Sequence, residues 1–109
     1  MLSAVLILPI DQVATGNAVA EAMGWGPSNY GVPLSASGEA THYGLHAWAS
    51  DGFREMVETG FYPPELAGAV DEATFAAMLG ALIYSFRDDH NGHFAEVCAA
   101  NGLEVLGDD

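Results

Sequence analysis

The stretch AVLILPI, residues 4–10, decides the fold of this 109-residue chain. It is a continuous apolar run with β-branched members, and Asp11 follows it directly. A run that is apolar on both faces is typical of a central strand covered from both sides. We therefore expect this segment to lie inside a sheet, with the other strands placed around it.

Further strands are predicted downstream of this run. In THYGLHAWA, apolar and polar residues alternate, so that His42, His46 and Trp48 share one face and Leu45 lies on the other. The run YGVPLS contains Pro33, which lacks a backbone N–H, and this favours an edge position. Together with the short final run LEVL, these predicted strands span residues 41–49, 30–35 and 103–106.

Helices are predicted between the strands. The longest covers residues 71–87, because apolar residues keep three- and four-residue spacing after a capping Asp71. Those apolar residues are Phe75, Met78, Leu79, Leu82, Ile83 and Phe86. The other predicted helices cover residues 11–23, 51–60 and 93–102.

The predicted order is β-α-β-β-α-(α-α)-β within a single domain, residues 1–109. Right-handed crossovers fold this order most simply into an α+β, ferredoxin-like sandwich, with a four-stranded antiparallel sheet in the spatial order 4-1-3-2. The apolar first strand then lies in the centre and the Pro33 strand at an edge. The extra helical element around residues 65–87 packs beside or over the sheet.

A ferredoxin-like sheet carries helices on one face only, and the bare face should be polar. Here the bare face is unusually apolar, and leaving such a patch exposed to water is uncommon in a monomer. Three different elements could cover this face: the extra helix, a second copy of the chain, or a different protein. The residues expected to form this interface are Val5, Ile7, His42, His46 and Trp48.

Composition excludes several classes of partner. The chain has fifteen Asp and Glu against two Arg and no Lys, for a formal net charge of −13. Binding to nucleic acid or to an anionic membrane is therefore disfavoured, and without Lys neither Schiff-base chemistry nor a Walker phosphate loop is possible. The first cation is Arg54, so the apolar N-terminus lacks the basic region of a signal peptide, and we expect no secretion by that route.

One cluster could carry chemistry. His90 and His93 lie beside Asp88 and Asp89, so a metal site is chemically possible there. His42 and His46 are about 13–14 Å apart on a strand, too far to share one ion. DDHNG does not fit an EF-hand loop, because carboxylates are missing at its first and last positions. A small metal- or ligand-binding enzyme at this cluster is therefore an alternative, while the primary expectation is no enzyme and no cofactor.

Residues 24–48 carry a resemblance to a family. The features are Gly24, Gly26 and Pro27, then VPLS and THYG, then His46 and Trp48. The stretch resembles small uncharacterised open reading frames of tailed bacteriophages and prophages. This resemblance implies a virion or accessory protein, associated with the tail, and transfers no catalytic residue.

We therefore expect a non-enzymatic structural or interaction protein that assembles through the sheet face, as a homo-oligomer or with another virion protein. Its expected location is the virion or the bacterial cytoplasm. An acidic regulator that mimics nucleic acid ranks third, because the acidic residues are spread over every element. The single Cys98 permits no internal disulfide, and its apolar neighbours predict a buried, inert thiol.

Overall fold

The computed structural model describes residues 1–25 and 31–106. Within them the chain forms five strands and four α-helices, with single 3-10 turns at Ile10–Gln12 and Pro64–Leu66. The strands are β1 (Leu2–Pro9), β2 (Val32–Ser35), β3 (His42–Ala49), β4 (Ile83–Arg87) and β5 (Glu104–Val105). The helices are α1 (Val13–Ala22), α2 (Asp51–Thr59), α3 (Glu72–Ala81) and α4 (His93–Ala100).

The strands form one antiparallel sheet in the order β4-β1-β3-β2-β5. The expected α+β class is therefore confirmed, and so is the interior position of β1. The predicted four-stranded, ferredoxin-like sheet is not confirmed. The sheet has five strands, and the LEVL strand pairs with β2 at the far edge instead of with β1.

The predicted helix over residues 71–87 is wrong beyond Ala81. Leu82 ends α3 in an extended conformation, with ψ 126°, and β4 follows it directly. β4 pairs with β1 so that Tyr84 lies opposite Leu6 and Phe86 opposite Ala4. Aromatic and β-branched residues suit a strand, and pairing with β1 outweighs their helical spacing.

The expected edge position of β2 is also wrong, because β5 pairs with its outer side. This pairing joins Leu34 to Val105 and Ser35 to Glu104, beyond the proline. Pro33 needs no N–H there, because its carbonyl oxygen accepts a hydrogen bond from the backbone N–H of Leu106.

Two apolar clusters cover the two faces of the sheet. One joins Leu8 to side chains of α1, α2 and α3. The other joins Val5 and Ile7 to Cys98 on α4. The expectation of a bare face is therefore wrong at its centre, because α4 lies over it and leaves Val5 and Ile7 fully buried. The cover belongs to the chain itself, but it is α4 and not the region 65–87.

A glycine lets α4 approach the sheet closely. A Cβ at position 44 would lie 2.8 Å from two ring carbons of Phe94, closer than real contacts allow. The absence of a side chain at Gly44 thus makes room for the Phe94 ring. This contact fixes the height of α4 above β3.

Local signals set the beginnings of α2 and α3 and the end of α2 as the sequence indicated, whereas α1 begins at Val13 and not at Asp11. The side chains of Ser50 and Asp71 accept hydrogen bonds from backbone N–H groups in the first turns of α2 and α3. Gly60 ends α2 in the left-handed region. In residues 1–25 and 31–106, the structure has no helix with the length and apolar character to cross a membrane. Gly26 and Pro27, which contribute to the family resemblance, lie outside the described residues.

Candidate functional site: a serine and histidine cluster

The sheet register brings polar residues together at one end of the face under α4. Ser3 on β1 lies between Trp48 on β3 and Arg87 on β4. In the next row, Val5 lies between His46 and Ser85. Paired residues of neighbouring strands share a face, so all these side chains project towards α4 or its preceding loop.

The hydroxyl of Ser3 is the centre of a hydrogen-bonded cluster. Its Oγ lies 2.8 Å from Nδ1 of His93, 3.0 Å from Nε2 of His46 and 3.5 Å from Nδ1 of His90. The other ring nitrogen of His93, Nε2, lies 2.9 Å from Oγ of Ser85. His93 is thus held between two hydroxyl groups at the first position of α4.

Three rings stack above this cluster. The imidazoles of His46 and His90 are parallel, with 3.8 Å between their centroids. The indole of Trp48 packs on His90, with 4.6 Å between centroids and 33° between planes. Trp48 is 51% exposed, whereas His93 below is 1% exposed. The cluster therefore has a buried polar base and an exposed aromatic top.

Arg87 forms hydrogen bonds that hold the loop between β4 and α4, which carries His90. Its guanidinium donates hydrogen bonds to the carbonyl oxygens of Asp89 and Asn91, at 2.8 and 2.6 Å, and to the carboxylate of Glu96 on α4. The side chain of Asp89 accepts a hydrogen bond from the N–H of Asn91. The loop between β4 and α4 is thereby tied to both elements, which positions His90 over His46.

Burial keeps the inner imidazoles neutral. The pKa of His46 is lowered, first by burial and then by the nearby His90, His93 and Arg87. Burial also lowers the pKa of His93, with Arg87 and His90 acting in the same direction and Glu96 opposing them. A charged imidazole here would lose water and meet other cations. At neutral pH the interior of the cluster is consequently uncharged.

The buried hydrogen-bonding groups of the cluster are satisfied within it. A serine hydroxyl has one proton, so Ser3 can donate to one imidazole and must accept from the others. Neutral His93 donates from one nitrogen and accepts at the other, which matches its two serine neighbours. Among the residues described, no buried side-chain nitrogen or oxygen atom lacks a partner. Ser3 is itself fully buried, so its hydroxyl is not presented to solvent.

The structure distributes the sequence-predicted residues over different surroundings. His46 and Trp48 belong to this cluster, whereas His42 lies at the other end of β3 with its Nδ1 2.8 Å from Oγ1 of Thr41. His90 and His93 lie close together, as the metal-site alternative required, but their neighbour is His46. Within the described residues, no group of three or more His, Cys, Asp or Glu is placed to hold a metal ion.

Sequence reasoning missed both serines of the cluster. Ser3 is the one hydroxyl in the first strand, and it shares a face with the predicted histidines. That placement was a usable signal. Ser85 could not be found, because its segment was assigned to a helix.

No family model, curated protein or solved structure matches this chain.

Proposed function

We propose that this chain is a non-enzymatic structural protein that assembles with copies of itself, and that the contact is centred on Trp48 and His90. The observation that carries the proposal is the exposed indole of Trp48, held on a stack of two imidazoles. Tryptophan is among the residues most enriched at interface hot spots. A half-exposed Trp on a fixed support offers contact area with little further loss of side-chain freedom.

The support beneath Trp48 favours binding over catalysis. Ser3 and His93 are buried and already hydrogen-bonded to each other. A nucleophile and its base need access to substrate, and a third group usually orients the base. Here His93 has serine hydroxyls on both sides. This arrangement is suited to holding the aromatic top in place.

Charge narrows the choice of contact surface. Two copies with a net charge of −13 repel each other, and salt screens this repulsion beyond about 8–10 Å. At the centre of this surface the indole of Trp48 carries no charge, and the lowered pKa of His46 keeps that imidazole uncharged at neutral pH, which limits repulsion at short range. Assembly through this surface should therefore become stronger as the salt concentration rises.

The virion assignment is part of this proposal. Its support is the resemblance of residues 24–48 to small open reading frames of tailed phages, and a tail-associated or accessory position follows from that resemblance alone. We further propose an elaborated ferredoxin-like fold, supported by the neighbouring order β4-β1-β3-β2 with β5 added at the edge.

The two other functions have less support. A metal- or ligand-binding enzyme would use Asp88, Asp89, His90 and His93, but Asp89 is engaged with Arg87 and Asn91. An acidic nucleic-acid mimic needs a row of carboxylates. The acidic residues of this chain are instead distributed over its elements.

Sedimentation velocity over a range of protein and salt concentrations tests the proposal. The wild type should associate, and Trp48→Ala should weaken self-association by about 2 kcal/mol or more, the size typical of a hot spot. Phe61→Ala is the matched control, because Phe61 is a 61% exposed aromatic residue outside the cluster. A wild type that stays monomeric at every concentration, or a Trp48→Ala variant that associates normally, would refute the proposal.

A further inference from the structure

A cavity of about 280 Å³ lies on the opposite side of the sheet from the serine and histidine cluster. Its floor consists of Ala4 and Leu6 on β1 and their partners Ala47 and Leu45 on β3. These side chains project away from α4, towards the layer of α1, α2 and α3. The cavity is therefore part of the interface between the sheet and its larger helical layer.

Small side chains leave this space open. Ala4 and Ala47 lie opposite each other on the floor, and Gly16 and Ala20 of α1 form part of the wall. Protein interiors are otherwise packed to crystal-like density, because unfilled space costs stability. Four small residues around one cavity thus keep a volume that larger apolar residues would fill.

Aromatic rings form another part of the wall. Trp25 follows α1, and its ring meets that of Phe53 on α2 edge to face, with 4.6 Å between centroids. Trp25 is 41% exposed, so part of its side chain reaches solvent. Trp48, the second tryptophan of the sequence, also borders the cavity, although its ring packs on His90 on the other face of the sheet.

The described part of the lining contains no charged side chain. None of the described residues that line the cavity is acidic or basic, in a chain with seventeen such residues. The hydroxyl of Ser50 is engaged in capping α2 through the N–H of Phe53. A charged ligand would lose its water shell here without a partner, at a large cost. An uncharged, apolar molecule would not meet this cost.

We propose that this cavity is a binding site for a small uncharged ligand with an apolar body, such as a medium-length alkyl chain. At interior packing density, about 280 Å³ holds on the order of ten non-hydrogen atoms. A hydroxyl or similar neutral group on the ligand can remain at the solvent side near Trp25. This site lies on the opposite side of the sheet from the Ser3 hydroxyl and the His46–His90 stack, and it has Trp48 in common with the self-assembly surface proposed above.

Titration with 1-octanol tests the site, with octanoate as the charged comparison. Trp48→Phe leaves Trp25 as the one tryptophan, so its emission reports on the cavity. We expect 1-octanol to shift and saturate this emission and to raise the melting temperature, because a ligand that binds only the folded state stabilises it. Octanoate should do both at least tenfold less effectively.

Cavity-filling variants locate the binding. Ala47→Leu and Ala20→Leu occupy the space from the floor and from α1, and each should weaken 1-octanol binding by about tenfold or more, equivalent to 1.4 kcal/mol. Ala99→Leu is the matched control, because Ala99 is exposed on α4. It should bind as the wild type does.

Several results would overturn the proposal. These are an unchanged emission and melting temperature in saturating 1-octanol, equal responses to 1-octanol and octanoate, or undiminished binding in folded Ala47→Leu or Ala20→Leu protein. Self-association does not enter these readouts when the titration uses a concentration at which sedimentation detects one species. Failure of the ligand site and failure of the assembly surface are thus distinguishable.

Discussion

The imidazole rings of His46 and His90 lie parallel, with 3.8 Å between centroids and 6° between planes. One ring belongs to β3 and the other to the loop after β4, so their contact requires the whole order β4-β1-β3. The stack connects the buried Ser3 hydroxyl to the exposed Trp48. A substitution at Ser3 or at Trp48 should therefore alter the packing of the two imidazole rings between them.

Ser3→Ala should destabilise the protein by about 1–3 kcal/mol, because it removes the hydroxyl partner of a buried His93 nitrogen and of a half-buried His46 nitrogen. Urea unfolding at neutral pH measures the effect. Ser37→Ala, at an exposed turn position, should change the free energy of unfolding by less than about 0.5 kcal/mol. Equal effects at the two positions would show that the Ser3 hydroxyl contributes nothing.

Acid should destabilise the fold through His46 and His93. Their pKa values are lowered in the folded state, mainly by burial, whereas in the unfolded chain they return to about 6.5. The unfolded state then binds more protons below that pH. The free energy of unfolding should therefore be highest above pH 6.5, where both histidines are neutral in either state. It should decrease as the pH falls below that value.

Urea unfolding between about pH 5 and pH 8 measures this dependence. His93→Gln removes one of the two titrating groups and should give a shallower pH profile than the wild type, whatever its stability at the upper end. A profile of His93→Gln that runs parallel to the wild type would contradict the assignment to His93.

Gly44→Ala should destabilise the fold by about 1–3 kcal/mol, because the new methyl group meets the ring of Phe94. In a Phe94→Leu background the same change should cost less, and a double-mutant cycle measures the difference. Gly80→Ala in α3 is the opposite case. A Cβ there meets nothing within 4 Å, so this variant should be stabilised by up to about 1 kcal/mol. Destabilisation of the same size at both glycines would exclude the Phe94 contact as the cause.

The thiol of Cys98 should react slowly with a disulfide reagent. It is buried, and burial raises its pKa, so little thiolate is available at neutral pH. In urea the reaction should become fast. A cysteine introduced by Ala99→Cys in a Cys98→Ala background, at an exposed position of the same helix, should react quickly without urea. Fast reaction of native wild-type protein would contradict the packing of α4.

The elements that could be predicted from the sequence are those whose own residues show which faces are buried and where a helix begins. The run through β1 is apolar on both faces, and both faces are covered. The alternation in β3 placed His46 and Trp48 on one face, which the register of β1 and β3 confirms. Ser50 and Asp71 marked the beginnings of α2 and α3 through hydrogen bonds within a single turn.

The remaining features depend on contacts between distant segments. Leu82, Ile83 and Phe86 continue the helical spacing of the preceding residues, and a short apolar run does not distinguish a helix from a strand. Pairing with β1 decides for the strand. Once β4 was missed, the position of His90 above His46 could not be deduced, because the loop that carries it begins at the end of β4. The bare-face expectation was wrong for the same reason.

The covering of Val5 and Ile7 by α4 has a consequence for biosynthesis. Roughly 90 residues of chain separate β1 from α4, and a ribosome adding about 5–20 residues per second needs about 5–20 s to make them. Throughout that interval the apolar side of β1 on the nascent chain has no helix to cover it. The burial of β1 therefore has to wait until α4 has been translated. On a ribosome that stalls before residue 93, β1 would stay exposed, and the nascent chain could bind chaperones or aggregate.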